Sequence, residues 1–512
     1  MIGPMDIKRA QQSAFSAAKW MTASSYITFA TGFINSVFIT RGLGPAAYGV
    51  YSYLIWMVTF SVSLTTGGLN VTAIRFMAEA IGQDNTAQAD GIMRWLRRLL
   101  WLGLALMAAA LLATALVPGM YPMEVAQRLY LHLGFTVLCA ALRSVYMFEI
   151  SASKGYSIFH TEAITTTTIG LSTTLLTSTF YFTHQGLDAY LLLFLAAAAA
   201  HPVIAAVLMH RAGIRPKPTV LSPDTKAKLG TAIRWNTSLT LVGMLSSKSM
   251  DTYLLGLQSL TTYIGYYNIA SALTKSGMDL LTNGFSSMLL PFISRAQGEG
   301  GRERVQDIFA ASVRFYHFMG TLVAAGGYLM AELIVHSLYG KAYDEVIPAL
   351  QIMAVVSGLT TSSASYSAVF IATDNHQARL RFIFMGAGIS IATAFVFIPW
   401  LGYQGALLSC AVGNALYVLM IAVVAHRSLH IRFPVRKIAL QLLAAGGALA
   451  VVVLLLHDAS SVWRTLSATL AFGVLYLVAT VNIGAWEDSD LDMLRKNSRV
   501  LGRALDLLQL KR

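Results

Sequence analysis

RWNTSLTLVGMLSSKSMDTYLLGLQSLTTYIGYYNIASALTKSGMDLLTNGFSSMLLP, residues Arg234 to Pro291, holds two long apolar segments joined by a short turn near Gln258–Thr262. Each segment is long enough to cross a bilayer, which needs about 20 residues. Each also carries a cation and an anion on one helical face: Lys248 with Asp251, and Lys275 with Asp279. Spacings of three and four residues put each pair on the same side of a helix. A full charge in such a segment costs about 2.5–3.5 kcal/mol on insertion scales, so it is expected to face a hydrated interior and to have a task there.

Composition extends this reading to the whole chain. Its 512 residues are 56% hydrophobic and 12% charged, with mean hydropathy +0.60. Soluble domains carry about 25% charged residues, so a polytopic membrane protein is expected. The net charge of +13 is spread over short segments between apolar spans, where it sets topology. It therefore does not point to nucleic acid. Cys139 and Cys410 both lie inside apolar spans, which argues against a disulfide framework or a zinc site. The first twenty residues are polar and lack the apolar core and cleavage site of a signal peptide, so the first span is expected to stay in place.

The apolar pattern yields fourteen spans of about 20 residues or more. They lie near 20–40, 48–74, 94–117, 126–150, 160–183, 187–209, 235–257, 262–291, 308–337, 346–372, 380–400, 404–426, 438–457 and 463–485. The fifth is rich in threonine, and the second carries Gly67, Gly68 and Asn70. Connections on one side are short, such as GLGPAA and LYGKAYDE. Those on the other side, together with both termini, hold most of the 37 Lys and Arg, including Arg94, Arg97, Arg98, Arg215, Lys217 and Lys437. The short side holds Arg41, Arg128, Lys341 and Arg464. The positive-inside rule makes both termini cytoplasmic. Arg143, Lys248 and Lys275 are left as the cations within spans.

A repeat recurs at a period of about 215–220 residues. KWMTASSYITFATGFINSVFITRGLGPAAYGVYSYL, from Lys19, aligns with RWNTSLTLVGMLSSKSMDTYLLGLQSLTTYIGYYNIA, from Arg234. The segment from Ser151 aligns with the one from Ile371 at a similar offset. Six spans per repeat give both halves the same orientation, with a pseudo-two-fold along the membrane normal. The expected organisation is an N-terminal six-helix lobe over 1–210, a cytoplasmic linker over 211–234 and a C-terminal six-helix lobe over 235–430. Two further helices follow over 431–486, then an amphipathic cytoplasmic tail over 487–512 with leucines near helical spacing. In the repeat, Phe33 and Ser36 stand where Lys248 and Asp251 stand, so the deep charge belongs to one half.

RGLGPAAYGVYS and GLNVTAIRFMAEAIG around the first two spans, then DTYLLG, YIGYYNIA, LLPFISRA and LYGKAYDEVIPALQIMA, resemble the polysaccharide transporter family. These are the Wzx-type lipid-linked oligosaccharide flippases, related to the lipid II flippase and to MATE antiporters. The resemblance covers roughly residues 15–430. It implies an all-α protein of two pseudo-symmetric six-helix lobes in a V, with spans one, two, seven and eight lining a cavity. It also implies alternating access in a bacterial inner membrane, moving an undecaprenyl-pyrophosphate-linked oligosaccharide to the outer leaflet. A proton or sodium gradient is an implied energy source, and a polysaccharide polymerase and chain-length regulator are implied partners. No cofactor is implied.

An anionic, bulky headgroup needs cations in a hydrated path. Lys248 and Lys275 are the first candidates to bind it, each of which could instead serve only to neutralise Asp251 or Asp279. Arg143 in span four, Arg75 at the end of span two and Arg41 after span one complete the substrate-binding candidates. Arg143 has a snorkelling alternative, Arg75 an ion pair with Glu79, and Arg41 a loop-capping role. Asp251, Asp279, Glu149 and Glu332 are the candidates for ion coupling or gating. The tyrosines at 263, 266 and 267 suit an interfacial belt better than a sugar platform. No Walker pattern is present. Two other readings remain open. A MATE-type drug antiporter is opposed by the cationic spans and the two extra helices. A glycan polymerase or ligase is opposed by the short outer loops and the lack of a nucleophile–base set.

Overall fold

The computed structural model describes residues 4–117, 119–245, 249–372, 376–455, 462–488 and 490. All regular structure among them is helical, in the order α1 (Pro4–Gly82), α2 (Thr86–Thr114), α3 (Met123–Ala126), α4 (Leu129–Gly155), α5 (His160–Phe182), α6 (Leu187–Arg211), α7 (Pro223–Leu245), α8 (Ser249–Leu257), α9 (Thr261–Leu338), α10 (Val346–Thr360), α11 (Ser363–Ala372), α12 (His376–Leu429), α13 (Val435–Leu455) and α14 (Val462–Asn482). Nine helices among the described residues are long and apolar enough to cross a membrane. The protein is therefore a multi-pass, all-helical membrane protein.

Three helices turn at a single glycine. α1 breaks at Gly44 (φ 70°, ψ 172°), directly before Pro45; α9 breaks at Gly301 (φ 59°); α12 breaks at Gly402 (φ 55°). Only glycine takes these dihedrals without a Cβ clash. Space is not the constraint at Gly44, because a Cβ there would meet nothing within 4 Å. Gly44→Ala is accordingly expected to cost about 1–2 kcal/mol through backbone strain alone, read as a lower thermal midpoint of purified protein. An unchanged midpoint would contradict it.

The threonine-rich α5 turns its hydroxyls back onto its own backbone. Thr165 donates to Thr161 O at 2.7 Å, Thr173 to Ile169 O at 2.8 Å and Thr174 to Gly170 O at 2.8 Å. That satisfies the hydroxyls without water. α5 is nevertheless not among those nine helices.

The chain divides into two compact units, Met1–Gly265 and Tyr266–Arg512. In the first, the core joins α1, α2, α4 and α6 through residues such as Leu69, Met77, Leu96, Leu100, Phe148 and Ala198. The second arm of α1 also runs antiparallel along α7, α8 and the start of α9. Asn236 Nδ2 donates to Thr72 Oγ1 at 3.3 Å. A Cβ on Gly67 or Gly68 would overlap Thr240 or Thr237. Trp56 and Tyr253 have ring centroids 6.4 Å apart. At the far end, a Cβ on Gly49 would overlap the Thr261 carbonyl, and one on Gly265 would stand 3.1 Å from Tyr48 and 3.3 Å from Gly49. Gly49 and Gly265 are counterparts in the sequence repeat, and they meet each other. The glycine pair at 67–68 thus serves close helix packing, a role small residues fill in membranes.

In the second unit, α9 crosses α10 equally closely. A Cβ on Gly320 would overlap the Gly358 carbonyl, the reverse holds for Gly358, and Gly327 faces Ala354. α13 and α14, whose role the sequence left open, pack on the second arm of α9. Phe318 and Ala325 of α9 join Ala444, Ala448, Ala468, Phe472 and Tyr476 in one core.

Candidate functional site

In the first unit, the candidate charges Arg143 and Glu149 lie in separate surroundings. Arg143 is half-buried on α4, with its guanidinium 5.4 Å from the Phe194 ring. Tyr51, Cys139 and Tyr146 lie within its electrostatic reach. Tyr146 in turn packs on His201, ring centroids 4.6 Å apart, and His201 Nδ1 donates to Ala197 O at 2.6 Å. One residue on, Ser144 shares a hydrogen bond with Thr65 at 2.8 Å. Arg143 thus sits in a cation–aromatic setting that joins α1, α4 and α6. Its sequence neighbour Glu149 does not meet it, because a spacing of six residues along the helix separates the two by about 9 Å along the axis. Glu149 is buried and accepts instead from Arg97 Nη2 of α2 at 2.7 Å.

Lys248 lies outside the described residues. Asp251 is buried, at 7% exposure, in the first turn of α8, where the helix dipole favours a carboxylate. Arg41 and Arg75 are exposed. The ion pair considered for Arg75 and Glu79 does not form. Arg75 places its guanidinium 5.2 Å from the Phe76 ring, and Glu79 is exposed.

In the second unit, Lys275 is exposed and Asp279 half-buried on the first arm of α9, and no ion pair joins them. Helical spacing gave them the same face but did not close the pair. Glu332 is exposed near the end of α9. It stands 3.8 Å from His336 Nδ1, whose Nε2 donates to Asp344 at 2.7 Å.

Two charged centres escaped the sequence reading. Arg97, taken as a topology charge, holds a buried carboxylate. Arg314 is a further cation within a span, on the second arm of α9, and is only 1% exposed. Its Nε and Nη2 grip Asp490 at 2.7 and 3.0 Å, and its Nη1 donates to Glu487 at 2.9 Å. α14 supplies the geometry. It ends on Gly484 (φ 70°), with Ala485 N donating to Thr480 O at 3.0 Å, a Schellman turn that folds the chain back. Lys437 Nζ then donates to both Gly484 O and Trp486 O at 2.9 Å, and Trp486 packs edge-on against Phe318 at 5.1 Å. Gln441 links the layers, accepting from His317 Nδ1 at 3.0 Å and donating to Arg314 O at 3.2 Å. Glu487 and Asp490, expected on a surface-lying amphipathic tail, are therefore partners of a buried arginine. An arginine with no acid one turn away, and a tail opening with clustered carboxylates, were the available signals. The remainder of that tail, 491–512, lies outside the described residues.

The fold can be compared with known proteins. A lipid II flippase, MurJ in an inward closed conformation, superposes with TM-score 0.68 at 15% identity, over 90% of this chain and 98% of that one. A multidrug resistance MATE transporter of the MOP superfamily, inward-facing, gives 0.61 at 14% identity, over 79% and 94%. A mutant of the Vibrio cholerae MATE transporter VcmN gives 0.52 at 17%, over 82% and 98%. No curated protein matches the sequence. Residues 38–348 match the family described as polysaccharide biosynthesis protein. The chain belongs to that polysaccharide biosynthesis protein family, and its helical fold is the one these lipid II flippase and MATE transporter structures share.

Proposed function

We propose that this protein moves a polyprenyl-pyrophosphate-linked oligosaccharide from the inner to the outer leaflet of a bacterial plasma membrane by alternating access. The observation that carries the reading is the extent of the likeness to the lipid II flippase. That fold accounts for 90% of this chain, whereas the MATE transporter accounts for 79%. A MATE-like export activity is the second reading, since that likeness is also strong. The family description supplies the glycan side of the proposal.

In this reading both termini are cytoplasmic, and two lobes, 1–210 and 235–430, alternate about a central path. Lys248 and Lys275 hold the pyrophosphate, with Arg143, Arg75 and Arg41 along the route. Asp251, Asp279, Glu149 and Glu332 are the carboxylates through which a proton or sodium ion would act. A pyrophosphate diester carries two negative charges and attracts an ammonium more strongly than a lone carboxylate does, so Lys275, which no ion pair joins to Asp279, can turn to it. A polymerase and a chain-length regulator would receive the product.

The test is glycan export in a null strain. Lys248→Ala and Lys275→Ala, at normal protein levels, are each expected to lower export at least tenfold, with lipid-linked glycan accumulating on the cytoplasmic leaflet. Normal export by both variants sinks the site assignment. Expulsion of cationic dyes, without effect of the protein on lipid-linked glycan, sinks the flippase reading in favour of the antiporter.

A further inference from the structure

A second cationic feature lies away from these residues, at the charged end of α2. Arg94, Arg97, Arg98 and Trp101 follow one another at spacings that form a single helical stripe. With Pro216 they line a pocket of about 320 Å³. The connection after α6 closes it. Arg94 Nε donates to Pro216 O at 3.0 Å, and Lys217 N donates to Asp90 Oδ2 at 3.0 Å. Asp90 also accepts from Tyr156 at 2.6 Å, so the nearest acid on α2 has both oxygens engaged in holding the wall. Burial and that acceptor push the Tyr156 phenol up, which keeps it a donor.

The charge balance of the pocket is one-sided. Three guanidinium groups line it, and one carboxylate, Glu149, reaches one of them. Arg97 Nε is buried without a hydrogen-bond partner among the described residues. Trp101 is 57% exposed, one turn deeper into the apolar part of the helix. Tryptophan at that level marks the headgroup layer of a membrane. The arginine fork matches phosphate oxygens in pairs, and basic pockets at this depth take lipid headgroups.

We infer that this pocket binds the phosphate group of an anionic lipid in the cytoplasmic leaflet. The phosphate lies between Arg94 and Arg98, within reach of Arg97, and the apolar part of the lipid runs past Trp101. Arg97 then answers to two anions, the lipid phosphate and Glu149, so occupancy of the pocket bears on a buried carboxylate of α4. The inference needs the orientation given by the charged loops but not the identity of the transported glycan.

The experiment uses the full chain, delipidated in detergent, and the double variant Arg94→Gln/Arg98→Gln. Native mass spectrometry measures retention of phosphatidylglycerol, phosphatidylcholine, polyprenyl pyrophosphate and inorganic pyrophosphate. The natural chain is expected to retain an anionic lipid over phosphatidylcholine, and the double variant to lose about thirtyfold of that preference while eluting as a folded protein. Retention of phosphatidylglycerol assigns a bulk lipid; retention of polyprenyl pyrophosphate alone assigns the headgroup of the proposed substrate. Equal lipid preference in the double variant overturns the inference. So does binding of inorganic pyrophosphate as tight as that of either lipid, because the membrane-level indole would then contribute nothing. Loss of glycan export through Lys275 would leave these results untouched, so the two proposals fail separately.

Discussion

Arg314→Leu is expected to lower the stability of the purified protein by about 3–5 kcal/mol, the cost of removing one partner of a buried ion pair. The arginine is 1% exposed and Asp490 7% exposed, so the stranded carboxylate has little water to turn to. Glu487 is more than half exposed and contributes less. The damage also spreads, because the returning segment carries Trp486 onto Phe318 and is clamped by Lys437. The midpoint of thermal unfolding in detergent should fall by many degrees. Arg314→Met combined with Asp490→Leu should recover most of it, since apolar side chains of similar volume can replace a buried pair. If the single variant melts like the natural protein, the pair does not hold the end of α14. If the double variant is no better than the single, the loss comes from packing rather than stranded charge.

Gly320→Val should be almost as damaging, and Gly326→Ala harmless, although both lie on one arm of α9. A Cβ at 320 overlaps the Gly358 carbonyl, which is backbone and cannot rotate away. The two helices would have to separate, losing contacts along the crossing that also holds Gly327 and Ala354, a cost of about 1–3 kcal/mol or more. A Cβ at 326 finds only Thr469 at 3.9 Å. That substitution removes a glycine from a helix and should be neutral or stabilising by up to about 1 kcal/mol. Folded yield and melting midpoint of the two variants decide the matter. Similar behaviour would show that the α9–α10 crossing is not set by glycine contact.

The all-helical membrane fold was legible because apolar length is the requirement of the bilayer itself. The repeat aligns the regions that hold Gly49 and Gly265, and those two glycines touch. The turn glycines at 44, 301 and 402 stood in short polar or glycine-rich breaks, where a left-handed residue is at home. Charge pairing was read less well, and for a physical reason. Helical spacing reports which residues share a face, whereas an ion pair forms with whatever group a neighbouring helix brings. Glu149 found Arg97, 52 residues away, and Arg314 found Asp490 at a separation of 176. Both arginines stood near charged ends of spans, where a topology role already accounted for them. Glu487 and Asp490, at the start of the tail, were misread for a related reason: leucine periodicity describes a free amphipathic helix and is blind to a buried cation waiting for its first acids.

The distance between Arg314 and Asp490 also has a consequence in time. The arginine is made 176 residues before its partner. At about 5–20 residues per second, that is an interval of roughly 9–35 seconds of translation. Throughout it, the second arm of α9 carries an unneutralised guanidinium while α10 to α14 are still being made. Closure of the clip therefore has to follow the synthesis of α13 and α14.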